Sequence, residues 1–423
     1  MSIEPLEMSR AGAPIAPLGK QQPAQQPHAF ALLWVASSLG ALASWVIKLA
    51  LPLIALHVTH SPALISGVTF AFLAPWLAFG LQAGALVDRL DRRLILLGIN
   101  AIRLVTLAPL AVTLWLGYTS LPTLYVTAAI IGLTETCSEP AISALTPMIA
   151  SPERLERANT GLILADQVIE IVGSPLGGLI AAIGLELAVG LGGACYVVAF
   201  VALLALRGVY RPRRQSVRRH PLIEMVEGAR FMWRQPTLRA LALMAGVINA
   251  SYTAWLAVLP IYMIAPGPLG LNVAQYGLLL MVGGIGGLIG AVLTTRIHRW
   301  LGRRWAIGLN ILGNTLVFVA PLFSRHPWLV GAAIFVGSAG GPMWTITALS
   351  LQQRIAPPEL QGRVAAAYRF LSFGAEALGP VMAGGVALAL EVPAVFLISG
   401  LLTLAMFAPF LLFITERAMK DEI

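Results

Sequence analysis

Acidic side chains set inside long apolar runs are the residues of this sequence best placed to do chemistry. Glu135, Glu139, Asp166, Glu170 and Glu376 all stand in such runs. A charge at the centre of a bilayer costs at least about 2.5–3.5 kcal/mol on insertion scales, so each acid needs a partner, a proton or water. With a helical rise of 1.5 Å, Glu170 and Glu376 fall about 15–18 Å from the nearer membrane surface, close to the midplane. Glu139 lies one turn from Glu135, and Asp166 one turn from Glu170, on the same helix faces. Only Arg103 and Lys48 offer cations to these four acids of the first half. Some of the carboxyls must therefore be protonated, wetted or balanced by a bound cation. A carboxyl whose access to water changes can carry a proton. Glu135, Glu170 and Glu376 are the candidates for that role. The structural alternative pairs Arg103 with Glu135 or Glu139, and Arg369 with Glu376. Asp166 and Arg369, nearer the membrane edge, are expected to snorkel or to serve a gate.

A repeat places these acids. Pro152, Glu153, Arg157, Glu170, Gly173 and Gly178 recur 206 residues later as Pro358, Glu359, Arg363, Glu376, Gly379 and Gly384. Each copy runs from a polar turn through an apolar stretch with one central glutamate into a glycine-rich tail. Two membrane bundles on one plan, with a path between them, is a common design of secondary transporters.

Composition agrees. The chain has 423 residues, 58% hydrophobic and 11% charged, with a mean hydropathy of +0.81. That is far too apolar for a soluble globular protein. Residues 240 to 295 contain no Asp, Glu, Lys or Arg, room for two spans of about 20 residues each. Cys137 and Cys195 lie in apolar segments and suggest neither a disulfide framework nor a metal site. Residues 1–28, rich in Pro, Gln and Ala, read as a flexible tail and not a signal peptide.

The breaks and charges predict an all-α polytopic membrane protein of twelve transmembrane helices in two pseudo-symmetric six-helix bundles. The spans are 30–56, 63–86, 94–117, 121–147, 161–183, 185–206, 238–264, 274–296, 305–324, 327–352, 364–389 and 392–415. The expected domains are a first bundle over 29–207, a linker over 208–237, a second bundle over 238–415 and a tail from 416 to 423. Of the 28 Lys and Arg, 24 fall in the tails or in connections alternating onto one side. That asymmetry places the basic side and both termini in the cytoplasm, in a bacterial-type inner membrane. It accounts for the net charge of +9 without nucleic acid. The linker begins with a basic run, Arg211, Arg213, Arg214, Arg218 and Arg219, suited to water or anionic headgroups. From Pro221 to Pro236 it turns amphipathic: Leu222, Met225, Val226, Ala229, Met232 and Trp233 oppose Glu224, Glu227 and Arg234. A helix lying along the membrane surface is expected.

After the second span comes Gly84-Ala85-Leu86-Val87-Asp88-Arg89-Leu90-Asp91-Arg92-Arg93, with a weaker copy at Arg299–Arg304 after the eighth. The string resembles the signature loop of the major facilitator superfamily, and resemblance extends over nearly all of residues 29 to 415. Stretches such as ALTPMIASPERLERAN and QQRIAPPELQGRVAAAYRF look like the branch containing macrolide-efflux proteins and the enterobactin exporter. The resemblance implies gate residues at Asp88, Arg89, Arg92 and Arg93, with Arg363 in the matching second-half segment. Gly173-Ser174-Pro175-Leu176-Gly177-Gly178 is similar to an antiporter-associated pattern of that branch, with its proline displaced by one; Gly379-Pro380 lies closer to it. Independently of family, Gly173 and Gly177 at i, i+4 give a smooth face for close helix contact, with Gly178 and Gly379 in the same class.

Asn249, Tyr252 and Trp255 in the seventh span, and Trp344 with Thr347 in the tenth, are candidate cavity groups for an amphipathic organic ligand or cation. The leading expectation is a monomeric, proton-driven exporter of an amphipathic molecule, a drug or a siderophore. The alternative is a lysophospholipid or headgroup transporter of the same fold. An enzyme is not expected: no His/Asp pair or phosphate loop is present. Neither cofactor nor metal is expected, His57 and His60 being two ligands at most.

Overall fold

The computed structural model describes residues 28–87, 89–211 and 221–415. Both tails, Asp88 and the basic positions Arg213, Arg214, Arg218 and Arg219 lie outside the described residues. The first half holds α1 (Ala29–Val58), α2 (Pro62–Val87), α3 (Arg92–Trp115), α4 (Leu121–Ile149), α5 (Leu155–Ile183) and α6 (Leu185–Ala205). Next come α7 (Pro221–Arg234), α8 (Pro236–Met263) and α9 (Val273–Phe323). Then α10 (Pro327–Ser338) leads into α11 (Gly340–Ile355), and α12 (Gln361–Gly374) passes through a 3-10 turn, Ala375–Ala377, into α13 (Leu378–Leu390). The pair α14 (Val392–Ala405) and α15 (Phe407–Phe413) completes the described chain.

Among the described residues, ten helical stretches are long and apolar enough to cross a bilayer. Two further crossings come from α4, with 29 residues, and from the division of α9. As one rod the 51 residues of α9 would reach about 75 Å, more than twice the hydrocarbon thickness. Gly302 breaks it, with φ 80 and ψ 157, a backbone that glycine adopts without a Cβ penalty. The twelve crossings are the number read from the sequence.

Local signals explain several ends. The carboxylate of Asp91 accepts from the backbone N–H groups of Arg93 and Leu94 and caps α3. Asn272 and Gln275 cap α9 reciprocally. Prolines stand in the first turn of α4, α8, α10 and α14, where the missing N–H has no intrahelical acceptor anyway.

The buried side chains fall into three clusters. One takes in Val46 to Ala55 of α1, Ile65 to Leu73 of α2, Ala254 to Met263 of α8, Phe318 of α9 and Phe396 of α14, so it crosses both halves at the end away from the basic connections. The other two stay within one half each, at the basic end. Leu33, Leu96, Leu145 and Leu203 belong to the first half, and Leu241, Ile311, Leu351 and Val364 to the second. The bundles are therefore fused at one end and separately packed at the other. The seams are α5 on α9 and α2 on α13.

Glycines set the seam distances. A Cβ on Gly178 would lie 2.7 Å from the Cα of Gly277, and one on Gly384 would lie 2.8 Å from Ser66 Oγ. These two glycines are repeat counterparts, and each makes the close contact between bundles on its own side. Their companions Gly173 and Gly379 are also matched: Gly173 packs on Trp45 of α1, and Gly379 on Ala250 and Thr253 of α8, each within its own bundle.

The linker helix forms where the amphipathic pattern placed it, with a protein contact the sequence did not disclose. Among its contacts, α7 docks on α12. Gly228 sits directly on the Arg363 backbone, Met232 is buried, and Val226 and Trp233 stay exposed. Glu227 accepts from Arg363 Nη1 at 2.7 Å. The side chains of Leu222 and Glu224 lie outside the described residues.

Candidate functional site

Four helices build a polar knot inside the first bundle. Arg103 of α3, only 2% exposed, donates from Nη2 to Glu135 Oε1 at 2.7 Å and from Nε to Thr134 Oγ1 at 2.9 Å, both on α4. Ser44 of α1 donates to the same Glu135 oxygen and lies 2.9 Å from the hydroxyl of Tyr196 on α6. The guanidinium stands 5.0 Å from the Tyr196 ring centre. A buried ion pair held by further hydrogen bonds keeps its charges at tolerable cost. The Glu135 side chain remains 29% exposed, so the pair is sealed on the arginine side and open on the carboxylate side.

One turn along α4, Glu139 reaches across to the second bundle and accepts from Arg369 of α12 at 2.6 Å. This corrects the alternative pairing of Arg369 with Glu376. Seven residues apart on one helix, those two are two turns, about 10 Å, distant along the axis. Beside this bridge, Trp76 of α2 and Phe373 of α12 face each other at 6.0 Å.

The remaining acids have no such partner. Asp166 and Glu170 of α5 are exposed, and Glu376 is half-buried at the 3-10 turn, with its carbonyl accepting from Thr253 Oγ1 at 2.7 Å. Lys48 of α1 points its ammonium at the rings of Trp45, 4.9 Å, and Phe72, 5.9 Å. Among the described residues, Lys48, Asp166, Glu170 and Glu376 make no ion pair within 4.0 Å. The exposure of the acids is to a cavity of about 700 Å³ walled by Asn100, Glu135, Glu139, Asn159, Asp166 and Glu170. A second cavity of about 250 Å³ adjoins it, sharing Trp45, Glu135 and Glu139, and adds Lys48, Trp76 and Glu376. It draws on both bundles.

Of the aromatic and amide candidates, Tyr252 is 45% exposed and stacks its ring 6.2 Å from that of Trp255. The others are turned inward. Trp255 is 2% exposed and packs on Phe318. Trp344 is buried and donates to the Tyr368 hydroxyl at 3.2 Å. Thr347 is buried with its hydroxyl 3.2 Å from His298 Nε2. Asn249 donates to the Ser372 carbonyl and ties α8 to α12. A tryptophan on a membrane helix fills core more readily than cavity, and these two do so.

The signature-loop residues serve the first bundle. Arg93 donates to the carbonyls of Leu203 and Leu204 at the end of α6. Arg92 is buried beside the Tyr210 carbonyl, while Arg89 is exposed. Asp91, which sequence reasoning did not single out, also accepts from the Tyr210 N–H at 2.8 Å. The loop thus fastens the start of the linker to α3. Sequence reading also missed Ser44, Tyr196, Trp45, Phe72, Trp76 and Phe373. Nothing in their spacing distinguishes them from ordinary packing; tertiary convergence alone reveals them.

Residues 33–375 match the profile of the Major Facilitator Superfamily. The chain belongs to that family. Among superfamily relatives it is 30% identical over 382 residues to the multidrug efflux pump Tap of Mycolicibacterium fortuitum, covering 86% of this chain and 90% of that one. It is 24% identical over 364 residues to the enterobactin exporter EntS of Shigella boydii, covering 84% and 85%. A crystal structure of the nucleoside transporter NupG superposes with a TM-score of 0.75 at 12% identity, covering 92% of this chain and all of that one. At that identity the likeness is one of fold. The protein is a multi-pass membrane transporter of this superfamily, and not an enzyme.

Proposed function

We propose that this transporter is a proton-coupled exporter of an amphipathic organic molecule, a drug or a siderophore, working by alternating access between the bodies 29–207 and 238–415. The observation that carries the reading is the crevice at the basic end. It holds three carboxyls, Asp166, Glu170 and Glu376, without an ion-pair partner, and it closes at the opposite end against a continuous apolar core. On the charge asymmetry of the connections the basic end is cytoplasmic, so the crevice faces the cell interior. Both termini then lie inside, and the working unit is a monomer in a bacterial-type inner membrane.

In this reading Glu170 and Glu376, repeat counterparts facing one crevice, exchange protons as it opens and closes. Glu135, fastened to Arg103, shares the first bundle's part of that role with Glu170. The similarity to Tap and EntS supports export of an organic molecule. The test is transport in proteoliposomes under an imposed proton gradient, together with growth of a deletion strain on a toxin panel and siderophore measured in cells and medium. Gradient-dependent uptake into inverted vesicles is expected, and Glu170→Gln with Glu376→Gln should express normally while losing about a hundredfold or more in rate, the lower end of what a positioned proton-transfer group contributes. Undiminished gradient-driven transport in that double variant overturns the proton-coupling role of these acids.

A further inference from the structure

The charges on the crevice walls do not balance. Two of the five carboxyls are matched, Glu135 by Arg103 and Glu139 by Arg369. That leaves Asp166 and Glu170 unmatched on the larger cavity and Glu376 beside the ammonium of Lys48 on the smaller one, Lys48 being the one further cation on these walls among the described residues. Lys48 lines the same chamber as Glu376, yet it makes no ion pair within 4.0 Å with Glu376 or Glu170. Its ammonium lies within the distance of a cation–π contact from Trp45 and Phe72, the geometry in which an aromatic face attracts a cation. Trp76, Phe373 and Glu376 complete the wall around it. Aromatic faces with surplus carboxylate form a seat for positive charge, and the protein's own lysine is sitting in it.

We propose that this aromatic, acid-rich chamber takes an amphipathic organic monocation, and that Lys48 is a tethered competitor for the cation's place. The proposal rests on the transporter reading above and specifies its substrate class. The flexible four-carbon stem of lysine lets its ammonium withdraw when a ligand cation arrives. The chamber of about 250 Å³ accepts a ring-bearing head, and the adjoining 700 Å³ accepts the rest of a drug-sized molecule. A ligand bearing net negative charge meets Glu376 in the chamber and Asp166 and Glu170 in the adjoining cavity, and is disfavoured.

The test is binding of tetraphenylphosphonium to the purified full-length protein, with triphenylphosphine oxide as an uncharged aromatic control and tetraphenylborate as the anionic one. Lys48→Met removes the competitor and keeps the volume. It should tighten tetraphenylphosphonium binding by about fivefold, the scale of one cation–π contact, and leave the uncharged probe within about twofold. Lys48→Arg, which keeps the charge, should resemble the parent, and adding Glu376→Gln to Lys48→Met should erase the gain. Unchanged or weakened phosphonium binding in Lys48→Met overturns the proposal. So does equal tightening of the uncharged probe, which would signal only relief of crowding, or a parent protein that prefers the borate. A melting temperature for each variant confirms that the protein being titrated is folded. Loss of proton-driven transport with these binding results intact would remove the functional reading alone, while normal transport with an inert Lys48→Met would remove this one alone.

Discussion

Arg103 shows how a buried charge is made safe: its guanidinium is satisfied by Glu135, Thr134 and the Tyr196 ring before any water is needed. Replacing it by methionine leaves Glu135 without its cation. The expected cost is about 3 kcal/mol, the usual figure when one partner of a buried pair is removed. A denaturation midpoint in detergent measures it, and Arg103→Met combined with Glu135→Gln should recover part of the loss. The possibility of this pair was legible in the sequence, since Arg103 was one of two cations near the acids. That Glu139 would choose Arg369 was not, because the choice depends on how the two bundles face each other. That contact joins side chains 54% and 55% exposed, so the bridge is screened and worth no more than about 1 kcal/mol. Glu139→Gln should therefore shift the balance of conformers by no more than about fivefold, measured as distances between spin labels across the basic end. Exchanging the two residues, as Glu139→Arg with Arg369→Glu, should restore it.

At the scale of elements, the spans followed from charge-free stretches and proline-glycine breaks, and the structure keeps their number. The repeat also carried more than the sequence alone disclosed. Gly173 and Gly379 seat helices inside a bundle, while Gly178 and Gly384 seat helices across bundles, so one offset encodes two different kinds of contact. Gly379→Val should act on folding, since its side chain would press on Thr253 and the Ala250 carbonyl. A loss of about 1–3 kcal/mol, the range for overpacking, is expected in the same denaturation assay. Gly178→Val should instead leave the melting temperature nearly unchanged and push the apart ends of the two bundles closer together, because it forces the joined ends open. Labelling of single cysteines at the two ends distinguishes these outcomes. The docking of α7 was not legible: its apolar stripe fits a lipid surface as well as it fits α12, and Gly228 decides between them only once Arg363 is in place.

For the whole molecule, the fold was readable because membrane spans announce themselves by length and composition, whereas the site was readable only as a set of acids. Their division into matched and unmatched depends on helices 32 to 230 residues apart in sequence. The two glycine seams lie on opposite flanks of the joined end, and each is the copy of the other. The two contacts sit at matching repeat positions but meet different partners, Gly277 beside Gly178 and Ser66 beside Gly384, so a bulky residue at Gly178 opens the joined ends from that seam with Gly384 as the pivot. Under the proposed alternating access, smooth release asks both contacts to slip together, which ties the residue spacing of the repeat to the symmetry of the movement.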